Sequence, residues 1–143
     1  MNIFYLDHSP YLAAKYHCDK HVVKMPVETA QMLSTAFRLL LGEKGVYKHK
    51  TKKGVVSYKS SYLLPQFGEY DGMSSKKRCA AYFVSNPNHP STQWVRSSTH
   101  NFIWTLDLGF KLCDEYRHRY TKIHGSIIPM LFIQKNLDLI LPK

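Results

Sequence analysis

The chain has 143 residues, a length that fits one domain and is enough to bury a core. Apolar residues make up 44% of it and aromatic residues 13%, which is a globular rather than a disordered composition. Twenty lysines and arginines against ten acidic residues give a net charge of +10, and this excess favours polyanionic partners. No apolar run approaches the ~20 residues that a membrane-spanning helix needs, so we expect no membrane partner.

The cellular location is predicted from the start of the chain and from the cysteines. The opening residues MNIFYLDHSPY lack the basic and continuous apolar regions of a secretory signal peptide. The three cysteines, at positions 18, 79 and 113, are odd in number and widely spaced, and no CxxC pair is present. This usage favours reduced thiols, so we expect a cytoplasmic protein. The sequence gives no sign of an obligate protein partner.

The first part of the chain has a helical pattern. Asp7 to Pro10 (DHSP) is a turn and N-cap signal, with the proline suited to the first helical turn. The pattern continues over residues 10–41, and Gly42 is a suitable stop. Because Pro26 removes a backbone donor inside this stretch, we expect two helices or one sharp kink there.

Residues 43–78 differ from the helical segment in being rich in lysine. EKGVYKHKTKKGVVSYKS has short β-like pieces around Lys53 and Gly54, which favours a flexible basic loop or a short β-hairpin. The remainder continues as loop or short strand and ends in a second basic cluster, residues 76–78.

The rest of the chain is again mostly helical in pattern. The rigid turn NPNHP predicts the start of a long helix over about residues 90–120, in which Gly109 and several Ser and Thr residues allow a break. The apolar tail predicts a short C-terminal helix. The predicted fold class is therefore mainly α: a single compact helical domain, residues 1–143, with a basic loop or short β-hairpin insertion.

Six polar residues near the start of this pattern recur at alternating spacings of four and three. In a continuous helix they form one stripe, which suits a half-buried cleft and equally suits a solvent-facing edge. They are His17, His21, Lys24, Glu28, Gln31 and Thr35. In a cleft, Glu28 would stabilise positive charge or move protons, His21 would act as acid, base or clamp, and Lys24 would act as a nucleophile.

His17 and His21 also resemble a pair of metal ligands one helical turn apart. The glutamate of an HExxH motif is missing and no third ligand is evident. We therefore expect no metal and no cofactor, and keep a metal-dependent nuclease only as an alternative.

A second group of candidate binding residues surrounds the start of the later helix. The free N–H groups of a helix start suit a phosphate, with His89 and Arg96 nearby, and Trp94 suits stacking on an unpaired base. Alternatively, Trp94 is a core residue and His89 only caps a turn. Lysines interleaved with tyrosines over residues 44–62 are typical of a surface that follows a phosphate backbone. The other candidate nucleic-acid-binding residues are Lys20, Lys48, Lys50, Lys52, Lys53, Lys76, Lys77 and Arg78.

Together these motifs resemble the pyrimidine-dimer DNA glycosylase/AP lyase family, small helical repair enzymes first known from bacteriophage, through an uncharacterised phage branch. MNIFYLDHSPYL is similar to that family's opening, a short apolar segment followed by a His-Pro element and Tyr-Leu. Asp19, His21 and Glu28 resemble its Asp-x-His followed seven residues later by a catalytic glutamate. The sequence NHP with Trp94 shortly after it is similar to a later element of the same family.

The resemblance implies an enzyme that acts on damaged or modified pyrimidines in DNA, with Glu28 as catalytic carboxylate. In that family the N-terminal amine attacks the sugar C1′ and forms an imine, and the glutamate supports base release and strand cleavage. Because Asn2 is too large for routine removal of the initiator methionine, the nucleophile here would be the amine of Met1, or Lys20 or Lys24. The expected location is the host cytoplasm if the chain is viral.

Other functions fit the same residues. A non-enzymatic phage protein that captures host nucleic acid would need only the basic surface, and the partner would then be DNA or RNA. A metal-dependent nuclease would use His17 and His21. The enzymatic hypothesis makes one spatial prediction: Glu28 lies on the floor of a positively charged groove near the first residue of the chain.

Overall fold

The computed structural model describes residues 2–141, and this part of the chain contains five α-helices and three β-strands. They are α1 (Pro10–Lys15), α2 (Asp19–Leu41), β1 (Glu43–Lys50), β2 (Val56–Leu63), β3 (Met73–Ser74), α3 (Pro90–Arg96), α4 (Thr99–Tyr120) and α5 (Ile127–Lys135). Short 3-10 turns lie at Pro65–Phe67, Ser75–Lys77 and Leu137–Leu139. The long helices α2 and α4 pack against each other, and α1, α3 and α5 surround them.

The sheet corrects the predicted fold class. Mainly α is wrong, because the chain is an α/β mix with 54% helix and 13% strand in a three-stranded mixed sheet. Strands β1 and β2 form an antiparallel hairpin whose register runs from Glu43 opposite Leu63 to Lys50 opposite Val56. Strand β3 adds to the other edge of β1 in parallel, and its two residues are too few to give an alternating sequence pattern.

The first helix begins where the sequence predicts, but the break that follows does not coincide with Pro26. The hydroxyl of Ser9 accepts a hydrogen bond from the Leu12 N–H at 3.3 Å, and Pro10 occupies the first turn of α1. The chain then leaves helical structure at residues 16–18, and α2 runs without interruption through Pro26, which is buried. Burial of this face compensates for the hydrogen bond that the proline removes.

The predicted long helix over residues 90–120 is two helices, α3 and α4. Its break lies at the serine pair 97–98 rather than at Gly109. The Ser98 hydroxyl accepts from the Asn101 N–H at 3.0 Å and so caps α4, while the Ser97 hydroxyl donates to Trp94 O at 2.7 Å. Serine side chains that bond to the backbone compete with a continuous helix, which explains why the break falls here.

The core lies between α2, α4 and α5. Phe37, Leu106 and Ile133 are among its fully or almost fully buried side chains. Gly109 is fixed by this packing, because a Cβ at its position would collide with the sulfur of Met130. All three cysteines are free thiols, as predicted. In the stretch from residue 2 to residue 141, no helix has both the length and the apolar character that crossing a bilayer demands.

A buried ion pair joins this helical core to the sheet. The Arg38 guanidinium, near the end of α2, binds both carboxylate oxygens of Glu69, with Nη1–Oε1 at 2.5 Å and Nη2–Oε2 at 2.8 Å. Both side chains are 0% exposed. The remaining guanidinium N–H groups donate to the carbonyl oxygens of Tyr82, Tyr62 and Ala81. One side chain therefore fixes β2 and the segment that leads from the sheet to α3.

Glu69 is equally well satisfied. Its Oε1 accepts from the Leu64 N–H at 2.8 Å and its Oε2 accepts from the Cys79 N–H at 3.0 Å. Burial by itself raises the pKa of the Glu69 carboxyl, but hydrogen bonds and charge from Arg38, together with the two backbone N–H groups, hold that pKa below its ordinary value. The carboxylate is therefore ionised at neutral pH, and the pair is a fully bonded buried salt bridge.

We expect the substitution Glu69→Gln to lower the free energy of unfolding by about 3–5 kcal/mol, because it leaves a buried guanidinium without its counter-charge. Urea denaturation at neutral pH measures this loss. Asp114→Asn, which breaks the exposed pair with Lys111, is the control and should cost less than about 1 kcal/mol. Equal losses in the two variants would contradict the assigned role of Glu69.

The same carboxylate sets a pH dependence. Because the folded pKa lies below the unfolded one, its stabilisation is complete above the ordinary value of 4.5 and is lost as the pH falls through the folded pKa. Stability of the wild type should therefore decrease below about pH 4.5, and the decrease should be smaller in Glu69→Gln.

Candidate functional site

The predicted polar stripe does not form a single surface. It requires one helix from His17 to Thr35, but α2 begins at Asp19 and His17 lies in the turn before it. On α2 the burial is graded: Lys24 is exposed, while His21 and Glu28 are half-buried. Thr35 is fully buried, where its hydroxyl donates to Ser85 O at 3.2 Å and accepts from the Ser85 N–H at 2.9 Å. The stripe residues on α2 are thus exposed or half-buried near its start and become buried towards its C-terminal end.

The two histidines of the stripe contact the ring of Phe4. His21 stacks on Phe4 with ring centroids 4.5 Å apart, and His17 meets the same ring edge-on at 5.6 Å. The Nδ1–H of His17 donates to Ala13 O at 2.6 Å, and its Nε2 is buried without a hydrogen-bond partner within residues 2–141. Burial lowers the pKa of His17, which the Ala13 hydrogen bond opposes and the charges of His21 and Arg119 reinforce. His17 is therefore a neutral residue that packs against the N-terminal segment.

The predicted metal pair is not part of a larger ligand cluster. The ring centroids of His17 and His21 are 6.4 Å apart. Across the described chain, no three His, Cys, Asp or Glu side chains lie close enough together to hold one metal ion. The position of Met1, the predicted nucleophile, falls outside the described residues, and Lys20 is exposed in the first turn of α2.

A cleft of about 480 Å³ lies where the N-terminal segment meets the starts of α3 and α4. Two aromatic residues, Tyr5 and Trp94, belong to its walls, and buried Trp104 supports both of them. Tyr5 stacks on Trp104 at 4.4 Å, and Trp94 meets Trp104 edge-on at 6.0 Å. Trp104 is itself held by the bond from its Nε1 to His8 O at 2.8 Å. The lining residues are Ile3, Tyr5, Pro90, Ser91, Trp94, His100 and Asn101.

The chemistry of this cleft suits a planar ligand. Its volume lies in the range of roughly 300–1,000 Å³ that is typical of small-molecule sites. Indole and phenol walls offer stacking surface, and a serine, a histidine and an asparagine offer hydrogen bonds at its rim. Phe4, the neighbour of both Ile3 and Tyr5, connects the cleft to the His21 flank of α2.

Of the residues predicted around the later helix, Trp94 lines the cleft, whereas His89 and Arg96 stabilise the turn before α3. His89 Nδ1 accepts from the Ser91 N–H at 3.1 Å, which makes His89 the N-cap of a helix of only seven residues. A guanidinium N–H of Arg96 donates to Pro87 O. Both side chains therefore have structural partners, and one of the N–H groups predicted to meet a phosphate is already bonded.

The predicted basic loop is a hairpin whose exposed face carries lysines and a tyrosine. Lys44, Lys48 and Lys50 alternate with less exposed residues along β1, so they share one face. Lys48 is paired with Tyr58 of β2, whose side chain is 65% exposed on that same face. We call this surface, with Lys52 and Lys53 in the exposed turn beyond it, the hairpin face.

The second basic cluster is partly occupied by aromatic contacts. Lys76 and Lys77 are both exposed, and Lys77 Nζ donates to the Tyr70 hydroxyl at 3.1 Å. The Arg78 guanidinium lies over the rings of Tyr82 and Phe83, with its central carbon 5.2 Å and 5.6 Å from their centroids. Arg78 is thus an exposed residue whose guanidinium packs on these two rings.

The segment 84–91 joins the hairpin face to the cleft. Val84 and Pro87 line a groove of about 580 Å³ together with hairpin residues such as Lys44 and Tyr62. Three residues later, Pro90 lines the cleft. Because three residues of extended chain span at most about 11 Å, the cleft lies close to this groove at the Lys44 end of the hairpin.

No protein-family model, no curated protein and no solved structure matches this chain. Membership of the pyrimidine-dimer glycosylase family therefore stays a prediction, and it is based on short sequence motifs. Support for a function comes from the geometry of residues 2–141 alone.

Sequence reasoning found Trp94 and the lysines but missed most of the cleft. Tyr5 is more than ninety positions from His100 and Asn101 and meets them only when the N-terminal segment packs on α3 and α4. The one signal available was the aromatic opening of the chain, which is unusual for a segment that forms neither helix nor strand.

Proposed function

We propose that this protein is a DNA glycosylase/AP lyase-like enzyme that acts on damaged or modified pyrimidines. The observation that carries the proposal is the aromatic cleft beside Trp94, which the segment 84–91 joins to a groove at the Lys44 end of the hairpin. DNA is the proposed partner, with RNA as the alternative, and the cytoplasm, of the host if the protein is viral, is the proposed location.

Electrostatics supplies the first step, binding to the phosphate backbone. The net charge of +10 attracts a polyanion, and exposed lysines on the hairpin face release counterions when they contact phosphates. Tyr58, beside Lys48, adds an exposed ring on which an unpaired base can stack. Such contacts hold a strand without selecting its sequence.

The cleft supplies the second step, acceptance of a base. Base chemistry inside a duplex requires the nucleotide to leave the stack, which costs a few kcal/mol and costs least at a damaged base. Stacking on an aromatic side chain stabilises the extruded base by about 1–3 kcal/mol and offsets this cost. Trp94, held in place by Trp104, is the proposed platform.

The proposed reaction is the one that the resemblance to the glycosylase family implies. A primary amine attacks C1′ of the deoxyribose, the base departs, and an imine joins protein and sugar. Glu28, half-buried on α2, is the proposed catalytic carboxylate, with His21 and Lys24 beside it. The nucleophile is the amine of Met1, Lys20 or Lys24. His21 contacts Phe4, whose chain neighbours Ile3 and Tyr5 line the cleft.

Borohydride trapping tests the lyase step. The wild-type protein, incubated with abasic-site DNA and sodium borohydride, should form a covalent adduct that is visible on a denaturing gel. Glu28→Gln should reduce adduct formation about 100-fold or more, as expected for loss of a general acid–base residue. Glu43→Gln, which changes an exposed glutamate at the start of β1, is the matched control and should trap normally. Absence of a wild-type adduct, or normal trapping by Glu28→Gln, would contradict the mechanism.

A second candidate function is non-enzymatic binding of nucleic acid. Two observations favour it. The hairpin lysines are exposed. Neither Lys24 nor Glu28, the proposed catalytic residues, lines the cleft. Under this function the strand would still follow the hairpin face, but Glu28→Gln would leave binding unchanged.

Neutralising the hairpin tests the binding surface shared by both functions. Lys50, Lys52 and Lys53 changed together to Gln should make the salt slope, d log K/d log[salt], less negative by about two to three, since each phosphate contact contributes roughly −0.7 to −0.9. Fluorescence anisotropy at several salt concentrations measures it. Changing three exposed lysines outside the hairpin to Gln removes the same charge and should alter the slope much less; these are Lys111, Lys122 and Lys135. Equal effects would mean that only total charge matters.

A further inference from the structure

One side chain of the cleft, Asn101, is fixed in orientation before any ligand arrives. Its Nδ2 donates to Trp94 O at 2.9 Å and to the Ser97 hydroxyl oxygen at 3.0 Å. A backbone carbonyl can only accept a hydrogen bond, so the amide atom next to Trp94 O must be the nitrogen. Both N–H groups of the amide are consequently used.

The amide oxygen of Asn101 is the polar atom that remains. Within residues 2–141, Oδ1 makes no hydrogen bond, although the residue lines the cleft. An amide that has both donors engaged is a pure acceptor, and it cannot rotate to offer a donor without breaking two bonds. The Asn101 backbone N–H is also bonded, to the Ser98 hydroxyl, which fixes the main chain at this position.

The acceptor and the stacking platform are mechanically coupled. Because Asn101 bonds to the main-chain oxygen of Trp94, Oδ1 keeps a constant position relative to the residue that carries the indole ring. The indole is in turn held by the edge-on contact with Trp104. Because Asn101 and Trp94 both line the cleft, a flat ring that stacks on Trp94 has this acceptor in the same cleft.

We infer that Asn101 determines which bases the cleft accepts, by requiring an N–H donor on the edge that faces Oδ1. This inference rests on the proposed function, since it assumes that the cleft receives a base. The ligand class is a nucleobase with an unsubstituted ring N–H, such as the imide of thymine or uracil. A base alkylated at that nitrogen stacks equally well but leaves the acceptor unpaired, which a site built to hydrogen-bond discriminates against.

The test compares ligands on the unmodified protein. Three short single strands are made of tetrahydrofuran (abasic) residues; one carries a central thymine, one a central N3-methylthymine and one no base. Fluorescence anisotropy should give the thymine strand an affinity about tenfold above that of the N3-methylthymine strand. Asn101→Ala should abolish this difference. Ser97→Ala, which removes one of the bonds to Nδ2 but keeps Oδ1, is the matched control and should preserve it.

The outcomes separate the inference from the proposed function. If the two base-containing strands bind equally and both bind more tightly than the strand without a base, the cleft accepts bases but Asn101 does not select them. If all three strands bind equally, no base enters the cleft, and the proposed function fails together with the inference. A difference that survives Asn101→Ala would assign the selection to another residue and also overturn the inference.

Discussion

The buried pair of Arg38 and Glu69 is the interaction on which the arrangement of helices and sheet depends. A lone charge at this depth would be strongly destabilising, and here each charge is compensated by the other and by backbone groups. Arg38 belongs to the central helix, Glu69 to the segment after the hairpin, and the carbonyl oxygens of residues 81 and 82 to the segment before α3. Directional bonds therefore fix three stretches whose apolar side chains also pack into one core.

This constraint has a consequence for function. The segment that Arg38 anchors continues to Phe83, whose ring stacks on that of Tyr47 in β1 with centroids 3.7 Å apart. Two residues later, the N–H of Ser85 donates to the hydroxyl of Thr35. The segment then reaches Pro90, which lines the cleft. The sheet and the cleft are thus connected by a segment held at several points along its length. A strand bound along the hairpin face would meet a cleft in a defined position, which is the preorganisation that base recognition requires.

The features that could be predicted from the sequence are those with a local cause. Ser9 and Pro10 start a helix, Gly42 ends one, and the β-like pieces around Lys53 and Gly54 allow a hairpin, because each depends on residues a few positions apart. The errors have non-local causes. Pro26 is tolerated because its face is buried, and β3 exists because two residues meet the free edge of β1. Neither effect is visible in a window of the sequence.

The candidate site divides in the same way. Lysine-rich composition and the turn before Trp94 are local signals, and both led to surfaces that the fold brings together. The cleft itself depends on Tyr5 meeting residues about ninety positions later, and the acceptor of Asn101 depends on hydrogen bonds across the α3–α4 turn. Residue type alone does not indicate that an asparagine will be locked with its oxygen free. Only the tertiary structure gives that information.

In the proposed complex, one strand of nucleic acid occupies the hairpin face and places a base in the cleft. Photo-cross-linking of a single strand that contains one 4-thiothymine, followed by mass spectrometry of the digested protein, tests it most directly. The thiobase should attach to Trp94 or Tyr5, and the flanking backbone should protect the hairpin lysines from acetylation. Attachment confined to Tyr58 and the hairpin, with the cleft unlabelled, would contradict it.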